Sequence, residues 1–282
     1  MEVFFVISGF ILPYSLSRSG YRLRNYFTFL GRRIVRLDPP YLVSVIIVVC
    51  LFFLSARAPG FAGAPFVLSW PRLLLHVGYL NGFAGVPWYG IVYWTLAIEL
   101  QFYLIVGLIF PVLVDSRSSR ATLLLLVLAL SGIVLTDKTY VFAWIFPFLM
   151  GMLVFRWKAG LVSREMFLIQ LAAFAGGTLY TIGGTAVIAA SFGALVIAYV
   201  RVRPHRTLEF VGAISYSLYL LHVPVGGRVI NLATRLDLGL AGKLAAICLA
   251  LAASLVAAWI LNRTVGVPAQ KWHRRINWNA GS

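Results

Sequence analysis

A charged side chain at the centre of a bilayer costs at least about 2.5–3.5 kcal/mol, so a carboxylate inside an apolar run needs a reason to be there. Glu99 is such a carboxylate, in Val92-Tyr-Trp-Thr-Leu-Ala-Ile-Glu-Leu-Gln-Phe-Tyr103. Trp94, Thr95, Glu99, Phe102 and Tyr103 recur at helical spacing and place aromatic and hydrogen-bonding groups on one face. Such a face suits an acid that orients a base or holds a polar substrate. The structural alternative is a Glu that locks helices together through an arginine.

Two further sets of residues have chemical potential. In Leu30-Gly-Arg-Arg-Ile-Val-Arg-Leu-Asp-Pro-Pro-Tyr41, Arg33 and Arg36 are three apart and share a helical face, with Arg32 beside them. Guanidinium forks offer paired donors to an oxyanion and suit phosphate, although basic residues at a span edge also serve as headgroup anchors. In Ile214-Ser-Tyr-Ser-Leu-Tyr-Leu-Leu-His222, the residues Ser215, Tyr219 and His222 form a polar stripe at i, i+4 and i+7. Histidine is a residue type suited to general-base work, so His222 is a candidate base and equally a candidate hydrogen-bonded packing residue. His76, His205 and His273 read as solvated groups in loops or near the interface. No phosphate-binding glycine loop, zinc helix or Gly-x-Ser-x-Gly elbow is present, and no metal is expected.

The elements that hold these residues follow from composition. Of 282 residues 61% are hydrophobic and 11% charged, against roughly 45–50% and about 25% in a soluble domain. That excludes a soluble core, disorder and a secreted disulfide scaffold, and it leaves an all-α polytopic bundle. Cys50 and Cys248 lie inside apolar runs and read as packing residues. Nine segments reach or approach the length of a spanning helix: Glu2–Leu16, Pro39–Leu54, Val92–Val114, Ala121–Leu135, Tyr140–Phe155, Met166–Ile182, Thr185–Val200, Leu208–Val225 and Leu240–Leu261. The long loop of about Ser55–Ile91 is itself apolar and aromatic, and is expected to lie in the interface or to re-enter.

The net charge of +16 would suggest nucleic acid in a soluble protein, but the cations stand between apolar runs as membrane orientation requires. With nine spans, alternate loops divide the 24 Lys and Arg into eighteen and six. The richer side holds the arginines from Arg18 to Arg36, then Arg117, Arg120, Arg156, Arg201 and Arg274 among others, and is assigned to the cytoplasm. The C-terminus is then cytoplasmic and Met1 lies outside. An outside N-terminus with no basic flank or cleavage site ahead of it suggests a helix upstream of Met1.

Four segments together resemble acyltransferase family 3, which includes O-antigen and exopolysaccharide O-acetyltransferases. They are Phe4-Phe-Val-Ile-Ser-Gly-Phe-Ile11, Arg32-Arg-Ile-Val-Arg36 with Pro39-Pro-Tyr41, Trp94-Thr-Leu-Ala-Ile-Glu-Leu-Gln-Phe-Tyr103, and Ile214-Ser-Tyr-Ser-Leu-Tyr-Leu-Leu-His222. The resemblance implies one acyltransferase domain over residues 1–282 in the cytoplasmic membrane. It implies transfer of an acyl group, usually acetyl, from cytoplasmic acyl-CoA to a hydroxyl of a cell-surface or exported carbohydrate such as lipopolysaccharide. Arg32, Arg33 and Arg36 would then hold the CoA, Glu99 with Tyr103 would orient the base or bind the sugar, and Ser8 would line the path between. The family's usual catalytic His lies on a first helix just before the Phe-Phe-x-x-Ser-Gly-Phe segment, so His222 is a substitute base here. Glu2 stands where an Asp is common, and Val265-Gly-Val-Pro268 lacks the acidic residue often found before that Pro. The competing readings are a small-molecule transporter and an inactive truncated family member.

Overall fold

The computed structural model describes residues 1–57, 66–115, 118–201, 203, 205–236 and 238–276. Arg117 and residues 58–65 of the long loop lie outside them. Twelve α-helices follow one another among the described residues: α1 Glu2–Arg18, α2 Tyr26–Ala56, α3 Trp70–Val77, α4 Tyr93–Leu113, α5 Ser118–Val134, α6 Ile145–Lys158, α7 Arg164–Thr181, α8 Gly184–Tyr199, α9 Arg206–Leu221, α10 Gly227–Ala233, α11 Leu240–Leu261 and α12 Val267–Arg275. No strand occurs among those residues. The protein is all-α and polytopic, as its composition demands.

Among the described residues five helical stretches, against the nine spans expected, are long and apolar enough to cross a membrane: Leu23–Ala56, Tyr93–Leu113, Val141–Lys158, Arg206–Ala233 and Leu240–Arg275. Ser119–Val134 and Gly184–Tyr199 are shorter apolar helices. Their outward faces stay apolar, as Leu123, Leu126, Val127 and Leu130 on α5 illustrate. A lipid-facing surface has no need of polar groups there. Cys50 and Cys248 belong to such exposed faces, free and unpaired by disulfide, and not to packed interiors.

The second expected span begins earlier than its apolar run. α2 starts at Tyr26 and continues through Pro39 and Pro40, so the three arginines belong to the helix body and not to a loop before it. Each proline removes one backbone donor, and a helix in a bundle tolerates this where neighbouring groups re-satisfy the freed carbonyls. The hydroxyl of Tyr216 on α9 donates to Leu37 O in this stretch at 2.9 Å.

The chain forms two compact units, Met1–Leu30 with Ala97–Arg203, and Gly31–Leu96 with Pro204–Ala280. In the first, α6 is the central element, with every residue from Ile145 to Arg156 buried. α1 crosses it at glycines: a Cβ on Gly9 would lie 2.2 Å from Phe148 O, and one on Gly151 would lie 2.1 Å from Val6 O. Lipid tails are as apolar as leucine, so close packing at small residues holds such helices together. Arg156 ends the buried run of α6. Its guanidinium donates to Leu113 O at the last turn of α4 and to Leu161 O at 3.2 Å, so this buried charge closes off main-chain carbonyls.

In the second unit, α9 passes into a π-turn at His222–Gly226 and α11 into another at Asn262–Gly266. Gly226 lets the first turn approach α11, where an added Cβ would meet Ser254 Oγ at 2.9 Å.

Candidate functional site

Ser8 and Glu99, ninety-one residues apart in sequence, meet in the first unit: Ser8 Oγ donates to Glu99 Oε1 at 2.7 Å. Both are buried, at 4% and 7% exposure. The pair is placed by packing on either side of it. Gly9, next to Ser8, lets α1 rest on the backbone of α6, and Phe148 on α6 stacks with Phe5 at 4.7 Å and with Phe102 at 4.0 Å between ring centroids. Phe102 stands one turn beyond Glu99 on α4. Tyr103, four residues after Glu99, is buried on the same helix. A hydroxyl–carboxylate pair in this setting can hold a proton or a polar ligand where water is scarce.

Gln101 is a neighbour that sequence reasoning missed. Its Nε2 donates to Thr139 O and its Oε1 accepts from the Val141 N–H, both at 2.9 Å. The amide therefore fastens α4 to the segment that leads into α6. An uncharged amide inside an apolar span was the available signal.

In the second unit the start of α4 is bonded to α9. Thr95 Oγ1 donates to Val92 O at 2.8 Å, and Tyr219 OH bonds to the Thr95 hydroxyl and donates to Val92 O at 3.2 Å. His222 is exposed at the head of the π-turn. Its Nδ1 lies 2.9 Å from Tyr219 O and 3.1 Å from Leu218 O, so Nδ1 is the donating nitrogen. Ser215 turns its hydroxyl to Gly212 O at 2.8 Å. Arg32 and Arg33 are half-buried and Arg36 is exposed on α2, and all three act electrostatically on His273 of α12. Asp38, the next carboxylate along, accepts from Tyr79 OH at 2.9 Å. Tyr79 reaches it with a left-handed backbone, φ 57°, and stacks on Tyr41 at 4.7 Å. A bulky residue adopts that conformation only where its surroundings hold it there.

His76 corrects the reading of the loop histidines as solvated. It is fully buried on α3. Its Nδ1 lies 2.8 Å from Arg72 O, and its Nε2 accepts from the Tyr89 N–H at 3.2 Å, which fixes the neutral Nδ1–H form. Tyr89 stacks on it at 5.2 Å and Trp88 meets it edge-on at 5.4 Å. Burial lowers its pKa from the ordinary value and the Arg72 guanidinium lowers it further, while the bond to Arg72 O works the other way. The apolar and aromatic character of the surrounding loop was the available signal, and the enclosing rings come from that loop at Trp88-Tyr89 and from α2 and α4.

The acyltransferase family model, described as an acyltransferase domain, matches residues 1–263. The chain belongs to this family. Among curated proteins it is similar to O-acetyltransferase OatA of Staphylococcus aureus strains NCTC 8325 / PS 47, COL and MRSA252, each 28% identical over 276 residues covering 80% of this chain. The match takes in 45% of each relative, so the chain spans about half the length of the curated proteins it resembles. No solved structure matches it at comparable stringency. Ser8, Arg32, Arg33, Arg36, Glu99, Tyr103 and His222 all fall inside the matched region.

Proposed function

We propose that this chain is a membrane O-acyltransferase that moves an acetyl group from cytoplasmic acyl-CoA to a hydroxyl of a cell-surface or exported carbohydrate. Family membership supports acyl transfer, and the similarity to the O-acetyltransferases of Staphylococcus aureus supports an O-linked acetyl group. The observation that carries the reading is the buried Ser8–Glu99 pair, a polar couple maintained inside an apolar unit. Burying a carboxylate there is costly, and acids retained inside membrane helices commonly serve a reaction or a substrate.

The donor is a polyanion, and Arg32, Arg33 and Arg36 supply forked donors on the side that the charge bias assigns to the cytoplasm. Residues 1–282 then act as one acyltransferase domain in the cytoplasmic membrane, with the C-terminus inside. Attack by a sugar hydroxyl needs a base, whose contribution is typically about 10²–10⁴-fold. With Nδ1 directed at Tyr219 O, the neutral ring of His222 would present Nε2 as the accepting nitrogen. Glu99, with Ser8 and Tyr103, orients the acceptor hydroxyl. The acyl C–S bond of the thioester breaks, the new ester C–O bond forms, and the hydroxyl proton passes to the base and from there to the departing sulfur, so that CoA leaves as the thiol and the base is regenerated.

The test incubates membranes carrying the chain with radiolabelled acetyl-CoA and measures base-labile acetate on glycan. Label that depends on the chain and is lost in Glu99→Gln supports the reading. Label absent in the wild type, or undiminished in the variant at equal membrane level, overturns it.

A further inference from the structure

Three consecutive residues of the loop before α4 are gripped by two side chains of α3. Arg72 Nε donates to Pro87 O at 2.8 Å and Arg72 Nη2 donates to Trp88 O at 2.7 Å. His76 Nε2 then accepts from the Tyr89 N–H at 3.2 Å. The Arg72 guanidinium also lies 3.9 Å from the centroid of the Tyr89 ring. At its far end the Tyr89 hydroxyl meets the N-cap of α3, accepting from Ser69 N–H at 3.1 Å. Three residues beyond Gly90 the chain enters α4, where Tyr93 OH bonds to Ser44 Oγ at 3.0 Å.

We propose that His76 is a positioning residue whose neutral form clasps the Trp88–Tyr89 loop, and that its protonation releases this loop at the start of α4. The chemistry is a matter of lone pairs. Neutral His76 donates through Nδ1 and accepts through Nε2; a second proton turns Nε2 into a donor facing the Tyr89 N–H, and the bond is lost. The new cation also stands beside Arg72, so like charges push the loop's two holders apart. The titratable and charged groups that face the ring are Arg72 on α3, Tyr41 on α2, Tyr89 in the loop and Tyr93 on α4. Asp38, the carboxylate reached through Tyr79, is bonded to that residue's hydroxyl. None of the facing groups supplies a negative charge near neutral pH. The loop is therefore held in neutral medium and freed in acidic medium. The inference concerns the order of the loop and does not depend on which acyl donor or acceptor the protein uses.

The experiment uses the whole chain in neutral detergent, with two readouts. Nitrogen NMR of labelled histidine follows the tautomer of His76, and hydrogen exchange follows the Tyr89 amide from about pH 7.5 to about pH 5. The expected result is a neutral Nδ1–H ring at the upper end, and Tyr89 amide protection that falls at least about tenfold, beyond the intrinsic exchange trend, as that ring titrates. His76→Gln supplies one donor and one acceptor without titrating, so it keeps protection flat across the range. Arg72→Lys retains the charge but loses the fork, so it weakens protection at every pH. Protection that ignores pH in the wild type overturns the clasp, as does an Nε2–H tautomer or a Gln variant that keeps the wild-type pH response. Should His76→Gln not fold, the wild-type tautomer and exchange profile decide the matter alone.

Discussion

Ser8 Oγ and Glu99 Oε1 lie 2.7 Å apart, a hydroxyl of α1 donating to a carboxylate of α4, with both residues sealed from solvent. The bond requires Glu99 to present an acceptor oxygen to Ser8, which either a carboxylate or the carbonyl of a carboxamide can do. Charge and hydrogen bonding can therefore be separated by mutation.

Glu99→Gln keeps the size and an acceptor for Ser8. Acetyl transfer should fall by about 10²-fold or more if the charge serves the reaction, while membrane level and melting temperature stay near wild type. Parallel loss of folding and transfer would assign Glu99 to helix locking. Ser8→Ala leaves the carboxylate with one fewer donor, and it should lose part of the activity and about 1–3 kcal/mol of stability, read by thermal melting.

Arg33→Lys with Arg36→Lys preserves charge and topology but removes both forks. Affinity for CoA, measured by titration of the purified chain, should drop about tenfold or more, which is 1.4 kcal/mol or more. Unchanged binding would make these residues headgroup anchors.

Gly151→Ala places a methyl 2.1 Å from Val6 O, and Gly9→Ala places one 2.2 Å from Phe148 O. Neither obstacle is a side-chain tip that can swing away. Each should cost about 1–3 kcal/mol by overpacking, with the α1–α6 crossing forced apart. Gly176→Ala, with open space around its Cβ, is the control expected to melt like wild type.

His76 gives stability a pH dependence of definite sign. Folding holds its pKa below the ordinary 6.5, chiefly through burial. Above about pH 6.5 the ring is neutral in both states and contributes nothing. Below it the unfolded chain takes up a proton that the native site refuses, so stability falls with pH until the native ring also titrates. Melting scans in detergent between about pH 8 and about pH 5 should show this slope in the wild type and a shallower one in His76→Gln.

Helix positions were legible because an apolar run long enough to cross a bilayer has almost no alternative fold. The expected segments are largely helical, although only five helical stretches among the described residues reach spanning length against the nine spans expected, and Glu99 stood out because charge in such a run is expensive. The start of α2 was not legible, since Pro39-Pro40 is a stop signal in water and a tolerated feature in a bundle. Nor was the partnership of Ser8 with Glu99, which depends on the glycine crossing of α1 and α6. His76 was misread because its loop, though apolar and aromatic, was not read as a packed element, and Tyr41 and Tyr93, which complete its enclosure, come from other helices.

Arg156 has a consequence for the order of synthesis. Its carbonyl partner on α4, Leu113, leaves the ribosome forty-three residues earlier, and Leu161 follows five residues later. When α6 enters the bilayer, an acceptor for its cation is already in place, and the second arrives before the next helix begins at Arg164. The charge never has to wait for a late partner. An insertion machine that releases helices in sequence can seat this arginine as it emerges, and a circular permutant starting between α4 and α6 would present it to lipid with Leu113 still to come.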